Sequence, residues 1–499
     1  MQNTLTSTCQ YKSILAPDKA CPHPPLKGDR DKFCIFHSID YKKDKGAFWK
    51  GIQDKLEKKD FDFTGYYFPP GLEADFRGKE FKDAKFSHAT FKGDVDFSGA
   101  EFSGESTDFL RAEFSGKNTV FSRAEFSGGS TRFIGAKFSG KGTHFFRAKF
   151  LGESTDFLRA GFSGESTYFS LAEFSGESTN FSWATFSGKD TYFSGAEFSG
   201  ESTDFSGAKF SGGITSFNHA DFFGCGTVRF VDTVLEGECK FLGVKFPLRS
   251  DQFIIFVGTR EPIDLGNTVF LYSNYDRLTF RNCKFIERAD EQFRFWRRRV
   301  ILKDEEFVGK MLELKKEERG GKGAERGAVT EVKEEEIAES VKVEYSHVES
   351  LYRQFKKNLE AEKDWELAGE FHYGEMECKR KGITSQWPAL AWARQNLGLL
   401  AWYKYFSGYG ERPFRTFCWI VFLLPVFAGI YWFLDTLPRQ DFVYYLWELS
   451  VKAAFLQRIG ETGNEPIRAL GKFFYLLQSV LCPTLIALFI LALRRRVRR

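Results

Sequence analysis

Residues 97–126 read FSGAEFSGESTDFLRAEFSGKNTVFSRAEF, and the spacing of their phenylalanines decides the fold. Phe102 follows Phe97 by five positions, Phe109 follows Phe102 by seven, and this alternation continues unbroken to Phe222. Eleven units of twelve residues therefore repeat one pattern, which accounts for much of the phenylalanine content of 58 in 499 residues. A fixed period of this kind is typical of solenoid proteins.

Small residues keep the same register as the phenylalanines. Alanine stands two positions before each second phenylalanine, glycine two after it, and threonine two before most first phenylalanines. Positions two apart on an extended chain face the same way, so these alanine, threonine and phenylalanine side chains are predicted to point inward. Glycine is predicted at the corners because it permits backbone angles that a Cβ atom forbids. Stacking buries each ring, which is worth roughly 1.5–3 kcal/mol.

The entry to the repeat carries a family resemblance. Its phenylalanines are five apart, with alanine two positions before three of them: Phe76, Phe81, Phe86 and Phe91, with Ala74, Ala84 and Ala89. This pattern resembles the pentapeptide-repeat family, over about residues 60–290. The resemblance implies a mainly β solenoid, a right-handed quadrilateral β-helix with four pentapeptides in each coil.

The chain departs from that family by a two-residue insert, such as Glu105-Ser106, in every second pentapeptide. A 24-residue, four-sided coil with two enlarged corners would stack Phe102 on Phe126. A 12-residue, two-sided coil would instead stack Phe102 on Phe114. We expect the longer coil and keep the shorter one as the alternative. Beyond Phe222 the pattern loosens, and residues 268–286 are predicted to form the final coils.

A cysteine and histidine cluster precedes the repeat, in a predicted zinc knuckle over residues 1–45. Cys9, Cys21, Cys34 and His37 form the pattern C-x11-C-x12-C-x2-H. Three thiolates and one imidazole suit a closed tetrahedral Zn²⁺ site, and a segment this short needs such a staple to become ordered. His23 is a substitute ligand, and scattered reduced cysteines are the alternative interpretation. Four protein ligands would leave no open position for catalysis.

The terminal coils of a solenoid present unpaired strand edges that need a cover. The zinc knuckle is predicted to cover one end. Residues around Phe293-Arg294-Phe295-Trp296 are predicted to cover the other.

Charged and helical segments follow the repeat. Residues 303–343 are highly charged and interrupted by glycines, which predicts a flexible or partly helical linker. Residues 344–405 place apolar side chains at helical spacing and predict a helical hairpin with its turn near Glu362–Asp364. The acidic residues of this hairpin, such as Glu375 and Glu377, are expected on a solvated helix face rather than in an active site.

A two-helix transmembrane region is predicted over residues 414–494. Residues 414–434 and 473–493 are each about twenty residues long and almost free of charge, which is enough to span a bilayer. Basic residues flank the pair of predicted spans, including Arg394 before the first span and Arg494 after the second. Both flanks are therefore predicted in the cytoplasm. The N-terminus has no apolar run that would predict a signal peptide. Residues 441–459 predict an amphipathic connecting helix.

The C-terminal part also resembles microbial pentapeptide-repeat membrane proteins. The motifs that carry this resemblance are LYRQFKKN at 351–358, ELAGEFHYGEME at 366–377, SGYGERP at 407–413 and ALRRRVRR at 492–499. Some of those proteins have the span, short helix, span order of channel pores. No potassium-filter sequence follows the connecting helix of this chain, which reads QRIGETGNEP instead.

Composition limits the functions to consider. The net charge is +4, and residues 97–222 contain 15 acidic and 11 basic side chains, too balanced for nucleic-acid binding or for mimicry of DNA. No phosphate loop, nucleophile elbow or dinucleotide fingerprint is present, so we do not expect an enzyme. The sequence predicts a membrane-anchored cytoplasmic scaffold for an unidentified protein partner. An oligomeric ion channel or sensor regulated by the solenoid is the alternative, and homo-oligomerisation stays open.

Overall fold

The computed structural model describes residues 8–12, 21–222, 224–245, 253–271, 278–289, 298–319, 344–385, 387–434, 446, 450–455 and 469–497. The chain divides into two compact units, Met1–Lys322 and Gly323–Arg499. The first unit is a β-solenoid of about eight turns, and the second is helical.

Among the described residues, four parallel sheets of eight, nine, six and eight strands form the four faces of the solenoid. Face I contains Tyr67–Phe68, Thr90–Phe91, Glu113–Phe114, Lys137–Phe138, Gly161–Phe162, Thr185–Phe186, Lys209–Phe210 and Val234–Leu235. Face II contains Ala74–Asp75, Val95–Asp96, Asn118–Val120, Gly142–His144, Ser166–Tyr168, Asp190–Tyr192, Ile214–Ser216, Glu238–Lys240 and Thr268–Val269. Face III contains Glu80–Lys82, Glu101–Ser103, Glu125–Phe126, Lys149–Phe150, Glu173–Phe174 and Glu197–Phe198. Face IV contains Ser106–Asp108, Ser130–Arg132, Ser154–Asp156, Ser178–Asn180, Ser202–Asp204, Thr227–Val231, Phe253–Val257 and Leu278–Arg281.

The strand register settles the length of the coil. Phe102 pairs with Phe126, and Thr131 pairs with Thr155, so equivalent positions are 24 residues apart. The 24-residue coil is therefore confirmed, and the 12-residue alternative is wrong. Because the chain visits all four faces before it returns, consecutive twelve-residue units lie on opposite sides of the coil.

The phenylalanines fill the interior as four columns, one ring per coil in each. The columns are Phe76-97-121-145-169-193-217-241-270, Phe81-102-126-150-174-198-222, Phe63-86-109-133-157-181-205-230-256-280 and Phe68-91-114-138-162-186-210. Neighbouring rings within a column are near parallel, as for Phe145 and Phe169 at 4.8 Å. Rings of different columns meet edge to face, as for Phe157 and Phe169 at 5.6 Å and 87°. The core is thus a continuous aromatic stack.

The corner glycines are required for a different reason from the one that the sequence suggests. Of the glycines that recur every twelve residues, from Gly104 to Gly224, Gly104 alone has a positive φ, of 95°. A Cβ atom on Gly176 would instead lie 1.8 Å from the carbonyl oxygen of Gly152 in the preceding coil. Close approach of backbone to backbone, rather than unusual dihedral angles, excludes larger residues at these corners.

The N-terminal segment covers the first coil, as the sequence predicts. Helix α1 (Lys45–Glu57) begins after Asp44, whose side chain accepts a hydrogen bond from the backbone of Ala47. The buried ring of Phe48 lies 5.2 Å from that of Phe68 in face I. The backbone N–H of Tyr67 donates to the carbonyl of Phe36, which joins the segment to the first strand of face I.

The C-terminal end of the solenoid is covered by a hairpin and a helix. Ile263–Asp264 pairs with Cys283–Lys284 in parallel, and Ile286–Ala289 pairs with Arg298–Ile301 in antiparallel orientation. Helix α2 (Lys303–Arg319) follows and buries Val308 and Met311. The predicted cover around Phe293–Trp296 and residues 320–343 of the predicted linker lie outside the described residues.

Asp304 fixes α2 to the last coils and makes this cover sensitive to pH. Its Oδ1 accepts a hydrogen bond of 2.7 Å from the backbone of Phe270, and burial raises its pKa to about 7. Because the folded-state pKa exceeds the ordinary value, this stabilisation is complete below about pH 4 and is lost as the pH rises through about 7.

Replacing Asp304 by Asn should therefore protect the cover at alkaline pH, because the amide keeps an acceptor for Phe270 and cannot ionise. We expect a gain on the order of 1–4 kcal/mol at pH 8 and little change at pH 4. Hydrogen exchange of residues 298–319 at the two pH values measures it. An Asp304→Asn chain with the wild-type pH profile would contradict this account.

The second unit consists of seven helices among the described residues. They are α3 (Tyr345–Ala361), α4 (Trp365–Lys381), α5 (Pro388–Leu397), α6 (Leu399–Ser407), α7 (Pro413–Leu434), the short α8 (Lys452–Ala454) and α9 (Ala469–Val497). Helices α3 and α4 form the predicted hairpin, with its turn at Glu362–Asp364. Pro413–Leu434 and Phe473–Arg494 are long and apolar enough to cross a membrane, with mean hydropathies of 2.2 and 2.3. Most of the predicted connecting helix over 441–459 lies outside the described residues.

Candidate functional sites

The four predicted metal ligands come together in the N-terminal segment. The ligand atoms of Cys9, Cys21, Cys34 and His37 all lie within 4.8 Å of one another. A bridge pairs Cys9 with Cys21, and a turn after Cys34 places His37 beside it, because the backbone of His37 donates to the carbonyl of Cys34. His23 is outside this group and packs its ring 4.9 Å from that of Phe36.

The distances within the cluster suit a tetrahedral ion. With Zn–S bonds of about 2.3 Å and Zn–N bonds of about 2.0 Å, ligand atoms should be roughly 3.5–3.8 Å apart. The sulphurs of Cys21 and Cys34 are 3.8 Å apart, and the Cys9 sulphur is 3.7 Å from Nδ1 of His37. The Cys34 sulphur lies closer to that nitrogen, at 3.2 Å. The cluster could therefore hold a metal ion after small shifts of its side chains.

A second layer of contacts orients the imidazole. Nε2 of His37 lies 3.2 Å from the carbonyl oxygen of Thr64, so a proton on Nε2 leaves Nδ1 free to bind a metal. The ring of Tyr11 stacks on His37 at 3.9 Å, and Tyr66 meets it edge-on at 5.2 Å. A Cβ atom on Gly65 would lie 1.9 Å from the Tyr11 hydroxyl, so this glycine makes room for the stacked ring.

The hydrogen bond between Cys21 and Cys34 affects their two thiols in opposite directions, because it lowers the pKa of Cys21 and raises that of Cys34. A hydrogen bond with Cys21 and burial raise the pKa of the Cys34 thiol to about 12, and burial raises the pKa of Cys9. Three closely spaced buried thiolates repel one another, so the protein alone keeps protons on at least some of them. A divalent cation would reverse this preference and deprotonate the thiols outright.

The outer surface of face II carries a ladder of aromatic side chains. The ring of His144 lies 4.9 Å from that of Tyr168, which lies 5.2 Å from Tyr192, all in successive coils. Phe146 and Leu171, at the corner that follows face II, are 36% and 46% exposed. These five residues, the face II patch, form an apolar area on the solenoid wall that the interior columns do not explain.

Three of the four acidic residues of α4, Glu370, Glu375 and Glu377, are buried in ion pairs, so the expected solvated face is wrong for Glu375 and Glu377. Both carboxylate oxygens of Glu377 bind Arg380, and they also accept from Lys404 and the Tyr409 hydroxyl. Glu377 is 3% exposed. Burial and the Glu377 carboxylate raise the pKa of Tyr409. The cluster is a satisfied polar core, not an open site.

Two further pairs extend this network along α4. Glu370 binds Arg412 through two hydrogen bonds of 2.6 and 2.8 Å, just before α7 begins. Although burial opposes its ionisation, hydrogen bonds from His372, Lys356 and Arg353 hold the pKa of Glu375 far below its usual range. The segments 351–358 and 407–413 therefore both form hydrogen bonds and ion pairs with the segment 366–377. Their spacing alone did not predict this pairing.

The two candidate membrane-spanning helices share a polar cluster of their own. The Tyr431 hydroxyl of α7 donates to the Gln478 side chain of α9 at 2.7 Å. The amide of Gln478 donates to the Ser450 hydroxyl and carbonyl, and that hydroxyl donates to the carbonyl of Leu424. Leu424 is midway along α7, so the described part of the connecting segment lies beside the middle of the helix. In a bilayer such mutual hydrogen bonds hold helices together.

No protein-family model, curated protein or solved structure matches this chain. The 24-residue, four-sided coil with stacked phenylalanines is consistent with a solenoid of the pentapeptide-repeat type on geometry alone.

Proposed function

We propose that this chain is a non-catalytic scaffold, anchored in the cell membrane by its C-terminal hairpin, whose solenoid presents a binding surface to a protein in the cytoplasm. The observation that carries the proposal is the contrast between the two sides of the solenoid wall. The interior repeats the same rings in every coil, whereas the exterior stacks His144, Tyr168 and Tyr192 in successive coils of face II, close to the exposed Phe146. Exposed aromatic residues are enriched where proteins bind one another.

Zn²⁺ is the ion that the N-terminal cluster would hold. Three thiolates and one imidazole are a typical ligand set of structural zinc sites, and the four ligand atoms here lie within 4.8 Å of one another. Cys9, Cys21, Cys34 and His37 would occupy all four positions, so the ion would stabilise the cover of the first coil and would not present an open position to a substrate.

Charges around the hairpin favour the cytoplasm for the solenoid. Arg394 precedes the first candidate span, and Arg494–Arg496 follow the second. Positive flanks of this kind stay on the cytoplasmic side during insertion. The segments before the first span and after the second would then both lie on the cytoplasmic side, where the proposed protein partner is.

Site-specific photo-crosslinking tests the binding surface. A photoreactive phenylalanine analogue at Tyr168 should yield a discrete adduct in intact cells. The same analogue at Asn180 should yield none, because Asn180 occupies the equivalent strand position half a coil later, on the opposite face IV. Equal labelling at both positions, or none at Tyr168, would count against the scaffold.

Reconstitution into planar bilayers tests the alternative function. The scaffold predicts a protein that stays with the membrane after alkaline extraction and conducts no ions. Ion conductance that disappears when Gln478 is replaced by Leu would favour a channel instead, because Gln478 joins both spans to the connecting segment.

A further inference from the structure

Helices α5 and α6 expose an unusual amount of apolar surface. Their large side chains are exposed by 72% at Trp387, 60% at Trp392 and Leu397, 90% at Leu399 and 49% at Trp402. No residue of α5 is buried. A helix of a water-soluble unit normally directs its apolar side chains to the interior, so these helices need another explanation.

The side of α5 that packs against the protein is polar. The Gln395 side chain donates to the carbonyls of Lys381 and Ile383, and Arg380 donates to the carbonyl of Gln395. The helix is therefore held by its polar side and turns tryptophan and leucine away. This orientation is the reverse of the one expected for a surface in water.

Helix α6 lies against the start of the first candidate span. The ring of Phe406 is 5.2 Å from that of Trp419, and the indole N–H of Trp419 donates to the carbonyl of Tyr405. A five-residue turn, Gly408–Arg412, separates α6 from α7. The exposed side chains therefore lie near the end of a helix that is apolar enough to cross a bilayer.

We propose that residues 387–406 lie in the interface of the bilayer that the hairpin crosses, with their tryptophans and leucines at the boundary between phospholipid headgroups and acyl chains. Tryptophan is enriched at this depth because its ring is apolar and its N–H is polar. Exposed Arg394 fits the same place, since its guanidinium can reach the lipid phosphates. The proposal rests on the membrane anchor proposed above and adds a second lipid contact to it.

Quenching of tryptophan fluorescence by brominated lipids tests this inference on the full chain. The protein is reconstituted into phosphatidylcholine vesicles in which the lipid is brominated close to the headgroup. Three of the ten tryptophans lie in the segment. The Trp387→Phe, Trp392→Phe, Trp402→Phe triple variant should lose about half of the emission that this shallow quencher removes. Trp183→Phe is the matched control, because Trp183 is 58% exposed on the solenoid and should contribute none of it.

Deep quenching separates the failure of this inference from that of the anchor. Lipid brominated near the end of its acyl chains should lower the emission of Trp419 below its level in lipid without bromine, because Trp419 lies closer to the middle of α7 than either end of the helix does. Emission sensitive to the deep quencher, combined with a triple variant quenched like the wild type, would overturn the interfacial assignment alone. Emission that neither quencher reduces would overturn both the interfacial assignment and the membrane anchor. A triple variant in which headgroup-brominated lipid removes less emission than in the wild type supports the inference.

Discussion

Replacing Cys34 by Ser should abolish binding of the proposed zinc ion and the order of the N-terminal segment. Cys34 is fully buried, and its sulphur lies within 3.8 Å of both Cys21 and His37 ligand atoms. Structural zinc contributes about 10–16 kcal/mol to the folding of isolated zinc-finger peptides. We therefore expect metal content to fall from one ion per chain to a small fraction of that.

Loss of the ion should also expose the first coil. The carbonyl of Thr64 holds Nε2 of His37, and the carbonyl of Phe36 holds the backbone of Tyr67. Hydrogen exchange in residues 21–68 should become at least tenfold faster, while residues 97–222 keep their protection, because each coil depends mainly on its neighbours. Metal analysis and hydrogen exchange on the same sample measure both effects.

Cys225→Ser is the matched control for this experiment. Cys225 is also fully buried, but its sulphur contacts Thr203 inside the solenoid and lies outside the ligand group. This variant should keep its metal and the protection of residues 21–68. A Cys34→Ser chain that retains one tightly bound ion, or a wild-type chain unaffected by removal of the metal, would contradict the assignment.

Replacing Phe169 by Ala should open the middle of the solenoid. The ring is fully buried and stacked between Phe145 at 4.8 Å and Phe193 at 4.9 Å. Removing a buried phenylalanine costs about 3–5 kcal/mol, because transfer free energy is lost and a cavity remains. Two ring contacts in the column are lost as well. The effect should appear in residues 145–193, since the coils interact with their nearest neighbours.

Tyr168→Ala provides a matched comparison one residue away. It removes a ring of similar size from the outer surface, where Tyr168 stacks on His144 and Tyr192. Cross-strand pairs of this kind contribute about 0.2–1 kcal/mol. The free energy of local opening, measured by native-state hydrogen exchange, should therefore fall several times more for Phe169→Ala. Equal losses for the two variants would mean that the columns do not hold the coils together.

Sequence periodicity predicted the solenoid because every coil repeats one constraint. The inward direction of Phe169 follows from its spacing from Thr167. The four-sided coil was implied by the resemblance to the pentapeptide-repeat family, because the spacing alone left a 12-residue coil open. The reason for the glycines did not follow, because the distance from Gly176 to the carbonyl of Gly152 depends on how coils stack. Neighbours in space, unlike neighbours in sequence, leave no simple periodic signal.

The candidate sites show the same division. The grouping of Cys9, Cys21, Cys34 and His37 was predictable because few residue types bind metal ions and all four lie in one short segment of the chain. The burial of Glu377 was not, because its partners Lys404 and Tyr409 are 27 and 32 residues further along the chain. The exposure of Trp387, Trp392 and Trp402 could not be predicted either, since a helical pattern does not indicate which side of the helix faces the protein.

The length of the coil is the claim on which the columns, the faces and the proposed binding surface all depend. Disulfide formation tests it most directly. Ser154 and Ser178 lie in register on neighbouring strands of face IV, about 4.8 Å apart by the usual strand spacing, which is within the range of a disulfide. Ser154 and Ser166 lie on opposite faces, with the phenylalanine core between them.

Chains carrying Ser154→Cys with Ser178→Cys, or Ser154→Cys with Ser166→Cys, are oxidised mildly and their linked peptides are identified by mass spectrometry. The 24-residue coil predicts a disulfide in the first chain and none in the second. A 12-residue coil would place residues 154 and 166 on neighbouring strands. A disulfide in the second chain but not in the first would contradict the fold described above.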